Sequence, residues 1–546
     1  MKGAAVVAEI LKREGVTTLF GYPRNAVIEA AAAADIRPLI VRQERVGVHM
    51  ADALSRLTSR RRIGVFAMQQ GPGTENAFGG IAQAYAESVP ILVLPAGHPR
   101  RQAQLAPNFS AMLGMRSICK WVESVVAVDQ IPEALRRAFT QVRNGRPRPC
   151  IVELPGDILA EEFNGALDYR PVLTTRSAPD PVDVPKVAEA LLNARRLVLY
   201  AGQGVHYARA WKQLRELAEL LAAPVTTTLA GKSAFPENHP LSLGSGGASF
   251  SRQAYHFIEH ADLIFGVGVS FTATPFGLTM PKGKRYIHAT WDAAELNKNV
   301  PTELALLGDI DLSLDALLVE VKERLKGRAR DAVPVAKEIK ALRDEWMAEW
   351  LPLLESEETP LSPYRVIRDL MRTVSVPDSV VTHDSGSPRN QITPFWESVE
   401  PLSYIGWGKS TQLGYGMGLI MGAKLARPEK LCINVWGDAA IGHTGMDFET
   451  CVRYGIPILS ILLNNFSMAA ELGVMPSSTE KFRATDISGN YADVARALGG
   501  YAERISAPAD IVPAIKRGID KTRDGVPVLL EFITRKETRS SSYGRS

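Results

Sequence analysis

The chain has little cysteine and lacks long hydrophobic runs, and both absences restrict what it can be. Four of its 546 residues are cysteine, and none of them forms a Cys-x-x-Cys pair. This argues against a disulfide framework and a thiolate zinc site. No apolar run reaches the roughly 20 residues that span a bilayer, and no cleavage site follows the first amphipathic stretch. We expect a cytoplasmic protein with reduced thiols and no membrane partner.

The chain also lacks a strong charge of either sign. Its 63 Lys and Arg residues against 59 Asp and Glu residues leave a formal charge of +4, and no basic stripe with interleaved aromatics occurs. Nucleic acid is therefore not an expected partner. A chain of this length that is 46% hydrophobic can build several cores. We expect about three domains and a small-molecule substrate.

Short apolar runs alternate with helical stretches through most of the chain, which predicts an α/β fold whose parallel sheets are flanked by helices. A Pro-rich stretch follows residue 165, and a charged helical stretch covers 330–360. We place a first domain at 1–165, a central Rossmann-like domain at 185–330 and a third domain at 360–535. Residues 536–546 form a basic, polar tail.

The stretch 437–465 carries the strongest chemical signal. It predicts a strand, a turn, a helix and a second strand, with Asp438 and Asn465 each following a strand. Ligands of open α/β sheets bind at the carboxyl ends of strands. A carboxylate and an amide oxygen there suit Mg²⁺, and backbone amides of a helix N-terminus suit phosphate. The alternative is that both side chains merely cap turns.

The Gly-Asp of this stretch, followed 27 positions after Asp438 by the second residue of an Asn-Asn pair, resembles the thiamin-diphosphate motif. The resemblance implies that Asp438, the Asn465 side chain and the Ser467 carbonyl hold Mg²⁺, which in turn holds the diphosphate. Ala439 departs from the usual Gly or Ser. The implied cofactor contacts around this metal are Gly437, Ala439, Ala440, Asn464 and Met468.

Two N-terminal features resemble the pyrimidine-binding domain of the acetolactate synthase group of these enzymes. Glu44 stands at a strand-to-helix junction, and the loop QQGPGTEN places Gly71, Pro72 and Gly73 before a helix. In the family, the glutamate bonds a pyrimidine nitrogen and favours the imino tautomer, which helps to remove the thiazolium C2 proton. Taken alone, Glu44 would be read as a surface residue favoured by the helix dipole.

The third domain adds further implied contacts. A polar turn, Asp384-Ser385-Gly386-Ser387, follows a strand and suits phosphate or pyrimidine. By the resemblance, Leu413 wedges between the two cofactor rings and the Thr411 carbonyl accepts from the amino group. In the central domain, family members hold ADP, FAD or nothing. Ser270-Phe271-Thr272 stands where the synthases have an arginine, which disfavours FAD, and Asp292 is a candidate for a ribose hydroxyl.

The reaction is less well determined. The run 444–450 and the pair Arg453-Tyr454 resemble the oxalyl-CoA decarboxylase and 2-hydroxyacyl-CoA lyase branch. We expect Glu471, six positions after Asn465, to be buried near the reacting carbon, where a raised pKa would let it shuttle a proton. The tail is either disordered or a lid whose cations meet CoA phosphates. Those cations are Arg535, Lys536, Arg539 and Arg545.

Three hypotheses follow. The first is a 2-hydroxyacyl-CoA lyase that releases formyl-CoA and an aldehyde or ketone. The second is an acetolactate synthase-like carboligase or 2-keto-acid decarboxylase, although the adjacent histidines of pyruvate decarboxylases are missing from 101–125 and Arg100 and Arg101 are weak candidates for an anionic substrate. The third is a cofactor-binding protein without turnover. The resemblance implies a homodimer or homotetramer with active sites at the subunit interface.

Overall fold

A computed structural model of the chain describes residues 1–543, so Arg545 lies outside the described residues. These residues form two compact units. The first unit contains residues 1–175, 410–428 and 442–458. The second contains residues 176–409, 429–441 and the chain from 459 onwards. Among residues 1–543, no helix has both the length and the apolar character that crossing a membrane requires.

Within residues 1–543, eighteen strands form three six-stranded sheets in which every neighbouring pair is parallel. The predicted α/β fold with three parallel sheets is confirmed. The strands are β1 Thr18–Gly21, β2 Arg37–Ile40, β3 Gly64–Met68, β4 Ile91–Gly97, β5 Trp121–Ser124, β6 Cys150–Pro155, β7 Leu197–Ala201, β8 Val225–Thr228, β9 Ser242–Gly246, β10 Leu263–Val267, β11 Arg285–Thr290, β12 Leu304–Leu307, β13 Ser379–His383, β14 Tyr404–Ile405, β15 Leu431–Gly437, β16 Leu459–Asn464, β17 Tyr501–Ile505 and β18 Val528–Ile533.

Helices connect the strands, as parallel pairing requires. They are α1 Gly3–Arg13, α2 Ala26–Ala33, α3 Glu44–Leu57, α4 Pro72–Ala86, α5 Ala111–Gly114, α6 Ile131–Arg143, α7 Gly156–Ala160, α8 Asp183–Asn193, α9 Gln203–Ala208, α10 Trp211–Leu221, α11 Arg252–His260, α12 Ile310–Arg324, α13 Val333–Leu354, α14 Pro363–Thr373, α15 Ser387–Ile392, α16 Tyr415–Ala426, α17 Asp438–Thr444, α18 Phe448–Tyr454, α19 Pro476–Phe482, α20 Tyr491–Ala497 and α21 Pro508–Arg523.

The first unit contains the sheet of order β2-β1-β3-β4-β6-β5. Strands β3, β4 and β6 are fully buried, which explains their unbroken apolar sequences, because helices cover both faces of a parallel sheet. Helix α6 shows the complementary pattern. Its Leu135, Phe139 and Val142 enter the core at helical spacing, while Arg136 and Arg137 face outward.

Helix α16 packs closely on helix α3 in the first unit. A Cβ atom on Gly418 would lie 2.4 Å from the His49 Cβ, and one on Gly422 would lie 2.3 Å from the Met50 carbonyl oxygen, so glycine is required at both contacts. A buried ion pair between Arg56 Nε and Asp52 Oδ1, 2.6 Å apart, joins α3 to the Tyr415 hydroxyl. This packing fixes the helix that begins at Glu44.

The second unit contains the other two sheets. The central sheet has the order β9-β8-β7-β10-β11-β12, which is the strand order of a Rossmann fold. The third sheet has the order β14-β13-β15-β16-β18-β17. This unit also contains a buried ion pair, in which Lys232 Nζ lies 2.5 Å from Glu237 Oε2. Glu237 Oε2 also accepts the Ser398 N–H. The expected domain boundaries stay a prediction.

The C-terminal tail packs on the second unit up to residue 543. Ser541 accepts a hydrogen bond from Trp346 Nε1 at 2.9 Å, and its carbonyl oxygen accepts the Phe250 N–H at 2.8 Å. The Tyr543 ring stacks on Tyr255 with centroids 5.7 Å apart. The expectation of a disordered tail is therefore wrong for the described residues, because aromatic side chains of the unit hold it.

Candidate functional site

Glu44 is the first residue of α3 and is 4% exposed. It follows β2 after three residues, so the strand end and the helix start together fix its position. Asn76 Nδ2 donates a hydrogen bond to Glu44 Oε2 at 3.3 Å. Burial raises the pKa of the Glu44 carboxyl, although the helix-start backbone amide and Asn76 oppose the shift. The raised pKa favours the protonated form of the carboxyl group, which suits a group that shares a proton with a ring nitrogen.

A cavity of about 510 Å³ lies beside Glu44 within the first unit. Gln69, Pro72, Gly73 and Asn76 line one part of its wall, and residues 442–447 line another. This volume lies in the range of small-molecule and cofactor sites. The cavity thus places a buried carboxyl group against a space that can hold a ring.

Two residues of the Gly-Pro-Gly loop, Pro72 and Gly73, line this cavity, and the predicted contact of the loop with the cofactor stays a prediction. Gly71 has φ +59°, a value that other residues rarely adopt, and Pro72 begins helix α4. A Cβ atom on Gly73 would lie 3.4 Å from Glu44 Oε1. Glycine at this position therefore keeps the space in front of the carboxyl group open.

Thr411 and Leu413 lie in the segment that leads into α16. Gln83 fixes this segment, since its Nε2 donates to the Ser410 carbonyl oxygen at 2.8 Å and its Oε1 accepts the Gln412 N–H at 3.3 Å. Neither Thr411 nor Leu413 lines the described cavity. Their predicted contacts with the cofactor stay a prediction.

Asp438 follows β15 and is 3% exposed. Its Oδ1 accepts the Ala439 N–H at 2.9 Å, and its Oδ2 accepts the N–H groups of Asn465 at 3.2 Å and Ser467 at 3.1 Å. Burial raises the pKa of this carboxyl while these amides act to lower it. The amides hold the carboxylate where the ends of β15 and β16 meet.

The oxygen atoms around Asp438 fit a divalent cation. Asn465 Oδ1 is buried and no described residue donates a hydrogen bond to it, and buried acceptors without a donor are rare. Phe466 has φ +57° and bends the loop that follows. The Ser467 carbonyl accepts one bond, from Ala469 N–H at 2.8 Å, which leaves its second lone pair. Asp438, Asn465 and Ser467 therefore supply the hard oxygen donors that Mg²⁺ prefers.

Two groups that were expected to contact the cofactor form hydrogen bonds within the fold. Asn464 Nδ2 donates to Glu531 Oε1 at 2.7 Å, and Asn464 Oδ1 accepts the Phe466 N–H at 3.0 Å. Its side chain therefore holds the loop that follows β16, and the expected contact of Asn464 with the cofactor stays a prediction. The Ala439 N–H is likewise directed at the Asp438 carboxylate. Ala440 is buried in the next position of α17.

The polar turn after β13 lies at the same sheet edge as Asp438, because β13 and β15 are parallel neighbours. Asp384 is fully buried and its Oδ1 accepts the Ser385 N–H at 2.8 Å. Gly386 has φ +79°, and Ser387 begins α15. A Cβ atom on the neighbouring Gly437 would lie 3.5 Å from Pro388 Cγ, an ordinary van der Waals contact, and the expected contact of Gly437 with the cofactor stays a prediction.

Glu471 differs most from its expected setting. It ends a short 3-10 turn, Ala469–Glu471, and its side chain is exposed. Met468, just before this turn, is 40% exposed. The expected burial of Glu471 is therefore wrong for this chain, and its catalytic role stays a prediction.

The cations expected to meet an anionic substrate have carboxylate partners. Arg100 Nε lies 2.9 Å from Asp157 Oδ2, and Arg100 also pairs with Glu161. In the tail, Arg539 pairs with Glu349 at 2.7 Å. Arg535 pairs with Glu358 and Glu537, and Lys536 lies 3.4 Å from Asp486. These neutralised charges weaken the expected role of the tail as a phosphate-binding lid.

The central domain gives little support to a nucleotide contact by Asp292. Its Oδ1 accepts the Ala294 N–H at 3.1 Å and so caps a turn. Phe271, in the region where the synthases have an arginine, is buried, and its ring lies 4.9 Å from the ring of His288. The expectation that FAD is disfavoured rests on this apolar replacement and stays a prediction.

Sequence reasoning missed the residues that complete the cavity. Asn76 lies about one helical turn after Gly73, so the sequence could have placed it on the same helix face as the Gly-Pro-Gly loop. Asp447 and His443 approach Glu44 from a distant part of the chain. No sequence signal connects them with Glu44, because their proximity depends on the tertiary packing of the first unit.

Fold and site together define an α/β enzyme with a buried glutamate beside a ring-sized cavity and a set of oxygen donors for a divalent cation. Three family models match the chain: the thiamine pyrophosphate enzyme N-terminal TPP binding domain at residues 1–117, the central domain at 184–317 and the C-terminal TPP binding domain at 384–532. The chain belongs to the thiamine pyrophosphate enzyme family, as the motifs indicated.

Similar proteins carry the name acetolactate synthase large subunit. The probable one of Methanocaldococcus jannaschii is 28% identical over 98% of this chain and 92% of its own length. That of Haemophilus influenzae is 30% identical over 85% of this chain and 82% of its own. That of Parasynechococcus marenigrum is 32% identical over 85% of this chain and 76% of its own.

Proposed function

We propose that this protein is a thiamin-diphosphate-dependent carboligase that acts on 2-keto acids, as the names of its relatives suggest. The observation that carries the proposal is the buried Glu44 beside its cavity, with Asn76 hydrogen-bonded to its carboxylate. When bound, thiamin diphosphate supplies a carbon nucleophile and takes up electrons as a carbon–carbon bond breaks. Glu44 holds a proton at a pyrimidine nitrogen. Asp438, Asn465 and Ser467 hold Mg²⁺ at the diphosphate.

The choice of a keto acid over an acyl-CoA rests on two observations. The relatives that cover most of the chain are named for acetolactate synthesis. The cations of the tail that would bind CoA phosphates are paired with carboxylates. The 2-hydroxyacyl-CoA lyase is the second candidate, because the run 444–450 that resembles that branch contributes residues 444–447 to the cavity wall.

The assembly we propose is a homodimer or homotetramer. Apolar side chains beyond the metal loop are exposed in the single chain, among them Val474 at 74% and Phe482 at 79%. Exposed apolar patches of this kind commonly mark contact surfaces. A second copy of the chain is the partner that the family resemblance implies.

The deciding experiment uses protein loaded with thiamin diphosphate and Mg²⁺. Pyruvate and a 2-hydroxyacyl-CoA are supplied separately, and products are followed by mass spectrometry. We expect acetolactate from pyruvate and no change in the thioester. Formyl-CoA together with an aldehyde or ketone would instead support the lyase. If neither compound reacts and the protein still binds the cofactor, the proposed activity is wrong.

A further inference from the structure

Strand β2 leads directly to Glu44 and is an edge strand of the first sheet, where β1 is its one partner among the strands that the structure describes. The backbone groups at its free side need partners from elsewhere. Ile40, the last residue of β2, donates its N–H to the Tyr454 hydroxyl at 2.9 Å. Its carbonyl oxygen accepts from Arg453 at 2.8 Å. Both backbone groups of Ile40, four residues before Glu44, are therefore hydrogen-bonded by side chains at the end of α18.

A third contact lies closer to the glutamate. Asp447 is 1% exposed, and its Oδ1 accepts the backbone N–H of Arg42 at 2.8 Å. The Thr450 hydroxyl donates to the same oxygen at 2.8 Å and so orients the carboxylate. Arg42 is two residues before Glu44. The backbone on the approach to Glu44 is thus fixed at two positions by side chains from residues 447–454.

We propose that Asp447, Arg453 and Tyr454 form a positioning clamp, which we call the Glu44 clamp, that sets where the Glu44 carboxyl group lies in its cavity. The inference rests on the proposed function of Glu44. The three residues act through the backbone of Ile40 and Arg42 and are positioning residues. It gives Arg453-Tyr454 and Asp447, which the sequence linked with acyl-CoA chemistry, a role that is independent of the substrate.

The clamp matters because catalytic groups tolerate little displacement. A shift of 1 Å in a reacting group can lower a rate about 100-fold, and loss of residues that orient a functional group typically costs 10- to 100-fold. Among residues 1–543, one side chain, Asn76, donates a hydrogen bond to Glu44, at 3.3 Å, so the carboxyl group depends on the backbone for its position. Removing a clamp contact should therefore slow the step that needs Glu44 more than it weakens cofactor binding.

The test compares Asp447→Ala and Tyr454→Phe with the wild-type holoenzyme. The main readout is the exchange of the cofactor C2 proton for deuterium, quenched in acid and measured by NMR without any substrate. The near-ultraviolet circular dichroism band of the imino tautomer is a second readout, and calorimetry gives the cofactor dissociation constant. We expect exchange to slow about 10- to 100-fold in Asp447→Ala and less in Tyr454→Phe, with a much smaller change in cofactor affinity.

Conservative and matched variants separate positioning from folding. Asp447→Asn keeps an acceptor oxygen for Arg42 and should restore most of the exchange rate. Thr450→Val removes the hydrogen bond that orients the Asp447 carboxylate but keeps the bond of that carboxylate to Arg42, so it should slow exchange less than Asp447→Ala does. Tyr286→Phe removes a hydroxyl that bonds Pro281 in the central sheet and controls for the Tyr454 change.

The outcomes are distinguishable. If Glu44→Gln slows exchange while Asp447→Ala and Tyr454→Phe exchange at the wild-type rate, the clamp is refuted. A loss in Tyr286→Phe as large as in Tyr454→Phe would also refute it, since the effect would then not depend on the clamp. If Glu44→Gln itself exchanges normally, the proposed function fails instead. If Asp447→Ala does not fold, the exchange rate of Tyr454→Phe tests the clamp instead, because this variant removes only the hydroxyl that bonds Ile40.

Discussion

Two buried carboxyl groups, Glu44 and Asp438, have opposite surroundings. Asp438 accepts three backbone N–H groups, which hold a negative charge ready for a cation. Glu44 has one long side-chain hydrogen bond, and burial raises its pKa. This favours a carboxyl group that gains and loses a proton. The different numbers of donors around the two carboxyl groups fit the two roles that we propose for them.

Substituting Glu44 by glutamine should separate binding from turnover. We expect Glu44→Gln to retain thiamin diphosphate and Mg²⁺, because the metal donors are untouched, while turnover falls about 100-fold or more. Steady-state rates with the accepted substrate and calorimetric titration of the cofactor measure the two effects. An unchanged rate would show that Glu44 does not act on the cofactor.

Asp447 should make stability depend on pH. Burial raises its pKa to about 6, above the value near 3.9 of an unfolded aspartate. The folded state therefore holds the proton more tightly, and the stabilisation is complete below about pH 4. It is lost as pH rises to about 6, a change of roughly 3 kcal/mol. Compared with Asp447→Asn, the wild type should lose thermal stability over this range, as measured by calorimetry. A difference in thermal stability between the two proteins that stays constant with pH would contradict this prediction.

At the scale of elements, helices α3 and α16 show how local sequence serves packing. Gly418 and Gly422 leave no room for a Cβ against α3, and the Asp52–Arg56–Tyr415 contacts lock the pair. The helix that begins with Glu44 is therefore rigidly seated. The glycine-rich sequence of α16 predicts a helix packed on a neighbour, but only the fold identifies α3 as that neighbour.

The tail is a second element whose role can be tested. Ser541 is 1% exposed, and its hydroxyl accepts from Trp346 Nε1 and donates to the Phe250 carbonyl oxygen. Ser541→Ala leaves a buried indole N–H unpaired, which should cost about 1–3 kcal/mol and lower the unfolding temperature. Ser542→Ala, at an exposed position, is the matched control and should have no effect. Equal midpoints for both variants would show that the tail does not stabilise the unit.

At the scale of the whole molecule, cofactor binding should appear as stability. A ligand present at 100 times its dissociation constant adds about 2.7 kcal/mol to the folded state. Removing Mg²⁺ with a chelator and dialysing away thiamin diphosphate should therefore lower the unfolding temperature, and adding both back should restore it. Asn465→Ala, which removes the orphaned amide oxygen, should abolish the response to Mg²⁺. A response equal to that of the wild type would exclude Asn465 as a ligand.

The sequence alone was a good guide to the fold and a poorer guide to the reaction. The three parallel sheets follow from alternating apolar runs and helices, which are local signals. The likeness of Arg453-Tyr454 to acyl-CoA enzymes suggested a substrate, but the structure shows these residues bonded to the edge of β2. A short motif shows which side chains are present, but it does not show which atoms those side chains contact.

The sequence by itself determined the cofactor class, because Asp438 and Asn465 each follow a strand and the spacing between them is that of one strand–helix–strand unit. The sequence also identified Glu44 and the Gly71–Gly73 loop as candidate site residues, and both belong to the same domain. Tertiary structure alone decided that Asp447 approaches Glu44, that Glu471 is exposed and that the tail docks at Ser541. The physical reason is distance along the chain. Local spacing fixes contacts within one supersecondary unit, whereas contacts across hundreds of residues depend on how the core packs.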